Sequence, residues 1–277
     1  MKTSKMLFLG FLLIGVVAQA QKFYIRAGFG VAVSNAANYY NDYSYGFSTD
    51  YRSVVTSKNQ GLGTGLPFVL AAGYNLSENF SLELGIDYFY GFSSTQKSEN
   101  SNPVYIYYMD SKWHGQMLSL MPAFVMSLPL DKFKPYARLG LKLGVLNSVV
   151  SKILLVPDYP VGSSAKVVEY KVREYGGLAI GVQAAVGSDF ILSDLVSLFG
   201  EIQIDGISYA PKHGKYLEYT ENGVNKMNSR TVKQNQWNYV KEVDLFKTIP
   251  EDQPNEHNKV NEQFGNVGLV LGIKIKI

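Results

Sequence analysis

The feature that most constrains this chain is an alternation of period two in which one set of residues is apolar and the other is mostly small. Residues 134 to 146 (KPYARLGLKLGVL) set Ala137, Leu139, Leu141, Leu143 and Val145 against Tyr136, Arg138, Gly140, Lys142 and Gly144. Only a β-strand puts every second residue on one face. The same pattern recurs over residues 23 to 33, 64 to 75, 80 to 92, 113 to 128, 173 to 187, 195 to 208 and 263 to 277. The run 113 to 128 is the least regular, because Pro122 falls in its middle and a proline removes a ladder hydrogen bond. A soluble sandwich would carry Lys and Glu on the second face of every strand. Here that face is mostly Gly, Ala, Ser and Tyr, which suits the narrow lumen of an eight-stranded barrel.

The connections between these eight runs alternate in length. They are long at 34 to 63, 93 to 112, 147 to 172 and 209 to 262, and short at 76 to 79, 129 to 133 and 188 to 194. In hydrocarbon every backbone N–H and C=O needs a protein partner, so strands can cross only as a closed barrel. The sequence therefore predicts an all-β chain: an eight-stranded antiparallel up-and-down transmembrane β-barrel with short periplasmic turns and long extracellular loops. An even strand number returns both termini to the periplasm. Val104 to Met109 and Lys166 to Val172 favour strands that extend above the membrane.

The N-terminus carries an export signal over residues 1 to 20, with Lys2 and Lys5 before the apolar stretch Met6 to Val17, then Ala18-Gln19-Ala20 as a small-x-small cleavage site at Ala18 and Ala20. The barrel domain is then residues 21 to 277. The apolar stretch is too short for a membrane-spanning helix. The sequence has no cysteine, which excludes disulfides, a thiolate metal site and a catalytic thiol. Its 26 basic and 23 acidic residues give a net charge of +3, and loss of Lys2 and Lys5 leaves +1, too close to neutral for nucleic acid. The 20 Tyr, 15 Phe and 26 Gly are the usage expected of barrel strands with aromatic girdles.

Charges on the small-residue face define the candidate site. Arg26, Arg138, Lys142 and Lys274 stand against Glu83, Asp87, Glu201 and Asp205, a near-balanced set that has to pair if buried. Arg138 and Lys142 are expected to pair with carboxylates among Glu83, Asp87 and Glu201 and so to plug the lumen. Tyr74, Tyr88, Tyr90, Phe92, Tyr136 and Phe199 read as girdle residues, Trp113 as an interfacial anchor and Trp237 as a packing residue in a loop. Gly61-Leu62-Gly63-Thr64-Gly65 lacks the helix and lysine of a phosphate loop and reads as a flexible approach to the second strand. His114, His213 and His257 show no metal-ligand spacing, and no cofactor is expected.

These residues resemble the small outer-membrane β-barrel family that includes the OmpA transmembrane domain and OmpX, and especially the outer-membrane β-barrel proteins of Bacteroidetes. The resemblance rests on the signal ending Ala18-Gln19-Ala20-Gln21-Lys22-Phe23-Tyr24, the glycine-aromatic strands and the closing strand. It implies an assembly signal at Gly272, Ile275 and Ile277, with isoleucines where aromatics are usual. It also implies the outer membrane as location, with outer-membrane lipid, lipopolysaccharide and the insertion machinery as partners. The expected role is structural or in surface interaction, without enzyme activity, with loops 34–63 and 209–262 as candidate contacts for an extracellular ligand or protein. A narrow channel is the alternative. A lipid-modifying enzyme using His114 with Ser111 or His213 with Ser208, and a soluble exported barrel, are the lesser ones.

Overall fold

A computed structural model of the chain describes residues 22–35, 52–58, 61–101, 106–158, 166–244 and 246–277. The proposed signal segment and its cleavage site, with most of loop 34–63, lie outside the described residues.

Eight strands close on themselves. They are β1 (Phe23–Ser34), β3 (Gly65–Asn75), β4 (Phe80–Gly91), β6 (Ile106–Ser127), β7 (Phe133–Asp158), β9 (Ala179–Ile191), β10 (Val196–Tyr209) and β16 (Asn266–Lys276). Each is antiparallel to its neighbours, and β1 pairs with both β3 and β16 to complete the ring. The ladder can be walked from Tyr24 through Gly73, Glu83, Ala123, Gly140, Gln183, Asp205 and Asn266 back to β1 at Ser34, ten residues above the start. A stagger of ten over eight strands tilts them by about 40°. The termini meet at the short-turn end, where Ile277 N–H donates to Phe23 O at 2.9 Å.

The alternation read from the sequence appears as alternating exposure. On β1, Phe23, Ile25, Ala27, Phe29, Val31 and Val33 face out, while Tyr24, Arg26, Gly30 and Ala32 are buried. Ten strand steps at this tilt span about 25 Å, the height of the apolar band on an outer-membrane barrel. At its lower edge Phe23 packs on Tyr74, Phe80 on Phe124 and Phe133 on Phe190 across adjacent strands. Pro122 is tolerated because it pairs with Leu84 on β4 while the ladder to β7 skips Met121 and Pro122, so its missing N–H falls where no pairing is made.

Three of the strand readings change. Residues 147 to 158 continue β7 instead of beginning a loop. They do so through a β-bulge at Val145 and Leu146, both exposed, after which odd-numbered residues face inward instead of even ones. The run 173 to 187 is two strands, β8 (Val168–Tyr175) and β9, both beside β7. Gly176 and Gly177 separate them at φ values of 73° and 78°, a conformation that favours glycine. The turn assigned to 188–194 shortens, because β9 runs to Ile191.

The long connection 209 to 262 is folded. It holds β11 (His213–Glu221), β12 (Val224–Asn225), a 3-10 turn at Met227–Ser229, helix α1 (Val232–Asn235), β13 (Gln236–Val240), β14 (Asn255–Asn258) and β15 (Glu262–Gln263). With β2 (Arg52–Lys58) and β5 (Ser94–Ser101) on the other flank, the upper halves of β6 and β7 become the centre of an extracellular wall ordered β14-β13-β11-β8-β7-β6-β5-β2.

Close packing inside the barrel sets a test. A Cβ on Gly73 would lie 2.1 Å from the Tyr24 ring, which is fully buried, whereas one on Gly206 would meet only a Val182 methyl at 3.9 Å. Gly73→Ala should lower the unfolding free energy by about 1–3 kcal/mol and Gly206→Ala should change it little. Urea titration in detergent micelles, followed by the mobility difference between boiled and unboiled samples, measures both.

Candidate functional site: a two-tiered charged lumen

Three strands each place two charged residues inward four positions apart: Glu83 and Asp87 on β4, Arg138 and Lys142 on β7, Glu201 and Asp205 on β10. Four steps along tilted strands raise the second set about 10 Å above the first. The lumen therefore carries two charged tiers.

In the lower tier Arg26 and Arg138 share two glutamates. Arg26 meets Glu201 at 2.8 Å and Glu83 at 3.6 Å, and Arg138 donates to Glu201 and lies 4.0 Å from Glu83. Tyr24 Oη donates to Glu83 at 2.7 Å and Tyr136 Oη to Glu201 at 2.8 Å. The Arg26 guanidinium lies 4.2 Å from the centre of the Phe199 ring. Two cations and two anions balance in this tier, whereas the upper tier sets one cation between two carboxylates. In the upper tier Lys142 Nζ donates to Asp87 at 2.7 Å and to Asp205 at 2.6 Å. Asn266 adds a bond to Asp205 at 3.3 Å, and Gln183 bonds Gln203 at 3.4 Å.

Apolar residues separate and cap the tiers. Val69, Met121, Phe199 and Val270 form one cluster. Leu62, Phe89, Trp113, Met117, Val149, Tyr209 and Phe264 belong to a second at the extracellular mouth. Asp87, Asp205 and Gln203 are 0% exposed, so no water-sized space touches them. A lone charge would cost several kcal/mol in such a place, and these persist because each has a partner at hydrogen-bond distance.

The sequence-predicted residues Arg26, Glu83, Arg138 and Glu201 stand together, and Lys142 stands with Asp87. Lys274 joins neither group. It donates to Asp189 at 2.8 Å and lies 4.1 Å from the centre of the Tyr24 ring. Asp189 escaped notice because it was placed in a turn, yet it sits near the end of β9 on the inward face.

Two girdle assignments are overturned. Tyr136 and Phe199 are buried in the lumen, whereas Tyr88, Tyr90 and Phe92 are exposed on the outer face. Position along the strand suggested a girdle, but the alternation turns Tyr136 and Phe199 inward. Trp113 is likewise buried in the mouth cluster rather than anchored at the interface, and Trp237 packs against Tyr216 and His257 as a loop residue. The segment at Gly61 to Gly65 is packed, with Leu62 1% exposed and Thr64 O accepting from Phe92 N–H at 2.8 Å. At the C-terminus Ile275 and Ile277 face outward, while a Cβ on Gly272 would lie 2.5 Å from the Phe199 ring.

Above the membrane two carboxyl groups are buried at the barrel mouth, Glu174 on β8, which accepts a hydrogen bond from Tyr239 on β13, and Glu262 on β15, paired with Tyr209. Burial, and then the Glu174 carboxylate, push Glu262 up to about 7, and burial raises Glu174. Among the described residues no group of three or more His, Asp or Glu side chains is arranged to hold a metal ion.

A closed barrel with an apolar outer band and a packed, charge-paired interior defines an integral outer-membrane β-barrel protein. Residues 6–240 match the outer membrane protein beta-barrel domain, and the chain belongs to that family and to the outer membrane. No curated protein matches it. Among solved structures it is similar to the outer membrane protein OprG from Pseudomonas aeruginosa, at 13% identity and a TM-score of 0.34, covering 94% of this chain and 97% of that one. It is also similar to Neisserial surface protein A, at 12% identity and a TM-score of 0.36, covering 92% and 97%.

Two outcomes follow from these charges. Lys142→Met leaves Asp87 and Asp205 without their cation and should cost about 3–5 kcal/mol, read as a lower urea midpoint. A carboxyl whose folded value lies above its unfolded one favours the folded state at low pH. The contact between residues 255 to 265 and the barrel mouth should therefore loosen as pH rises from about 5 through 7, and amide exchange corrected for its intrinsic pH dependence should show faster opening there at pH about 8.

Proposed function

We propose that this protein is a non-enzymatic, non-conducting barrel whose role is structural or in surface interaction, with the membrane-embedded part serving as a rigid mount for the extracellular wall. The observation that carries this reading is the lumen, in which two charge-paired tiers alternate with apolar clusters and water-sized space is missing at Asp87, Asp205 and Gln203. A channel needs a continuous wet path lined by its charges, and here the charges are spent on each other.

The histidines support the non-enzymatic part. His114 faces outward on β6 while Ser111 faces inward, so the two lie on opposite faces. His213 Nδ1 is 2.8 Å from Asn238 Oδ1, and Ser208 Oγ accepts from Gln263 at 3.3 Å. Neither pair is set as base and nucleophile. The folded 209–262 segment offers the larger described contact surface for an extracellular ligand or protein, and loop 34–63 is its proposed counterpart. Ile275 and Ile277, outward on the closing strand, are the proposed contacts for the insertion machinery.

Planar-bilayer recording of the purified full chain tests the reading. No steady conductance above the bare bilayer is expected. Reproducible single-channel steps that vanish when Lys142 and Arg138 are replaced would establish the channel instead.

A further inference from the structure

The upper tier of the lumen is short of positive charge. In the lower tier Arg26 and Arg138 answer Glu83 and Glu201, whereas Lys142 alone stands between Asp87 and Asp205, at 2.7 Å and 2.6 Å. Both aspartates are fully buried, and so is Lys142. One ammonium cannot neutralise two carboxylates, and a buried charge without a counterpart is strongly destabilising. The nearest other lumen cations, four residues lower, are already engaged with glutamates.

The hydrogen bonds carry the same signature. Lys142 uses Oδ2 of each aspartate, which leaves Asp87 Oδ1 and Asp205 Oδ1 without a donor. Gln183 on β9 and Asn266 on β16 stand opposite Asp205 on either side, and they are 1% and 2% exposed. Asn266 Nδ2 donates to Asp205 at 3.3 Å and Gln183 Nε2 to Gln203 at 3.4 Å, while Asn266 Oδ1 and Gln183 Oε1 have no donor. Ser119, opposite Asp87 on β6, adds a fully buried hydroxyl in the same condition. Native interiors rarely leave even one such group unmatched. The unmatched Gln203 amide N–H, two residues below Asp205, cannot serve all of these oxygens.

We propose that the upper tier binds one dehydrated sodium ion, for which Asp87 and Asp205 supply the charge and Gln183, Asn266 and Ser119 the neutral oxygens. Oxygen donors without nitrogen or sulfur suit hard cations. A divalent ion would overshoot the tier's single excess negative charge. A large or hydrated ion would not fit beside aspartates that no water-sized space touches, whereas a bare sodium ion is smaller than water. Lys142 keeps its bonds to the two Oδ2 atoms, and the ion takes the oxygens that Lys142 leaves. It serves as a strut between strands on opposite sides of the lumen, held in place rather than passed along.

The test compares the full chain refolded in detergent micelles with sodium chloride or choline chloride at the same ionic strength, about 0.3 M, so that screening is constant. Urea titration reads the folded-to-unfolded ratio through the mobility difference between boiled and unboiled samples. In sodium that ratio should be at least about fivefold higher than in choline, because an ion bound only by the folded barrel stabilises it by mass action. Asp205→Asn, in which Lys142 and Asp87 balance, should lose the sodium dependence. Asp194→Asn, which removes an exposed carboxylate from a short turn, should keep it. Equal ratios in sodium and choline for the parent overturn the proposal. If those equal ratios also fall as pH rises from about 5 to 8 and cease to do so in Asp205→Asn, the tier is balanced by a proton instead. A sodium effect that survives Asp205→Asn places the ion elsewhere and equally overturns the proposal. Should Asp205→Asn fail to show the mobility shift of a folded barrel, Gln183→Met decides, since it keeps the side chain's length and removes one oxygen. An undiminished sodium effect in that variant overturns the site.

Discussion

The constraint on which everything else rests is that a backbone in hydrocarbon has no water to turn to. Each strand must pair on both sides, and the ladder closes only when β16 meets β1 with a stagger of ten residues. That stagger fixes tilt, and tilt fixes the lumen's width. A lumen this narrow, walled by Gly and Ala where strands approach and by long side chains where they do not, leaves room for side chains and little else. Closure of the backbone and closure of the lumen are thus two faces of one geometric condition.

Charge in such a space is expensive unless it is answered. The barrel answers it by repetition, since β4 and β10 bring carboxylates and β7 brings cations, each twice, four residues apart. Arg26 enters from β1 to complete the lower tier, where it lies between Glu83 and Glu201. The same spacing on three non-adjacent strands ties opposite walls together across the axis. Hydrophobic packing alone holds neighbouring residues, whereas these pairs hold strands that share no hydrogen-bonded edge.

Much of this was legible because period two is a strong signal when both faces are specialised. The lumen residues Arg26, Glu83, Asp87, Arg138, Lys142 and Glu201 were found by parity alone. What escaped the sequence did so where parity changes or position misleads. The bulge at Val145 and Leu146 makes the inward set switch from even to odd, and a strand beyond it looks like a loop. Gly176 and Gly177 break one strand into two at a point where the composition still reads as continuous. Tyr136 and Phe199 were aromatic near strand ends, which suggested the interface, although their alternation already turned them inward. Pairing partners such as Asp189 for Lys274 depend on how strands stagger around the ring, and no local pattern carries that.

The bulge in β7 has a consequence for how the molecule can change over time. Below it the strand is locked by closure, lumen charge and lipid; above it the same strand belongs to the extracellular wall, with a phase of its own. Selection acting from outside the cell can rewrite the upper half residue by residue, or lengthen it, while the lower half answers only to the demands of folding and insertion. One continuous strand thereby answers to two separate sets of physical constraints, joined at Val145.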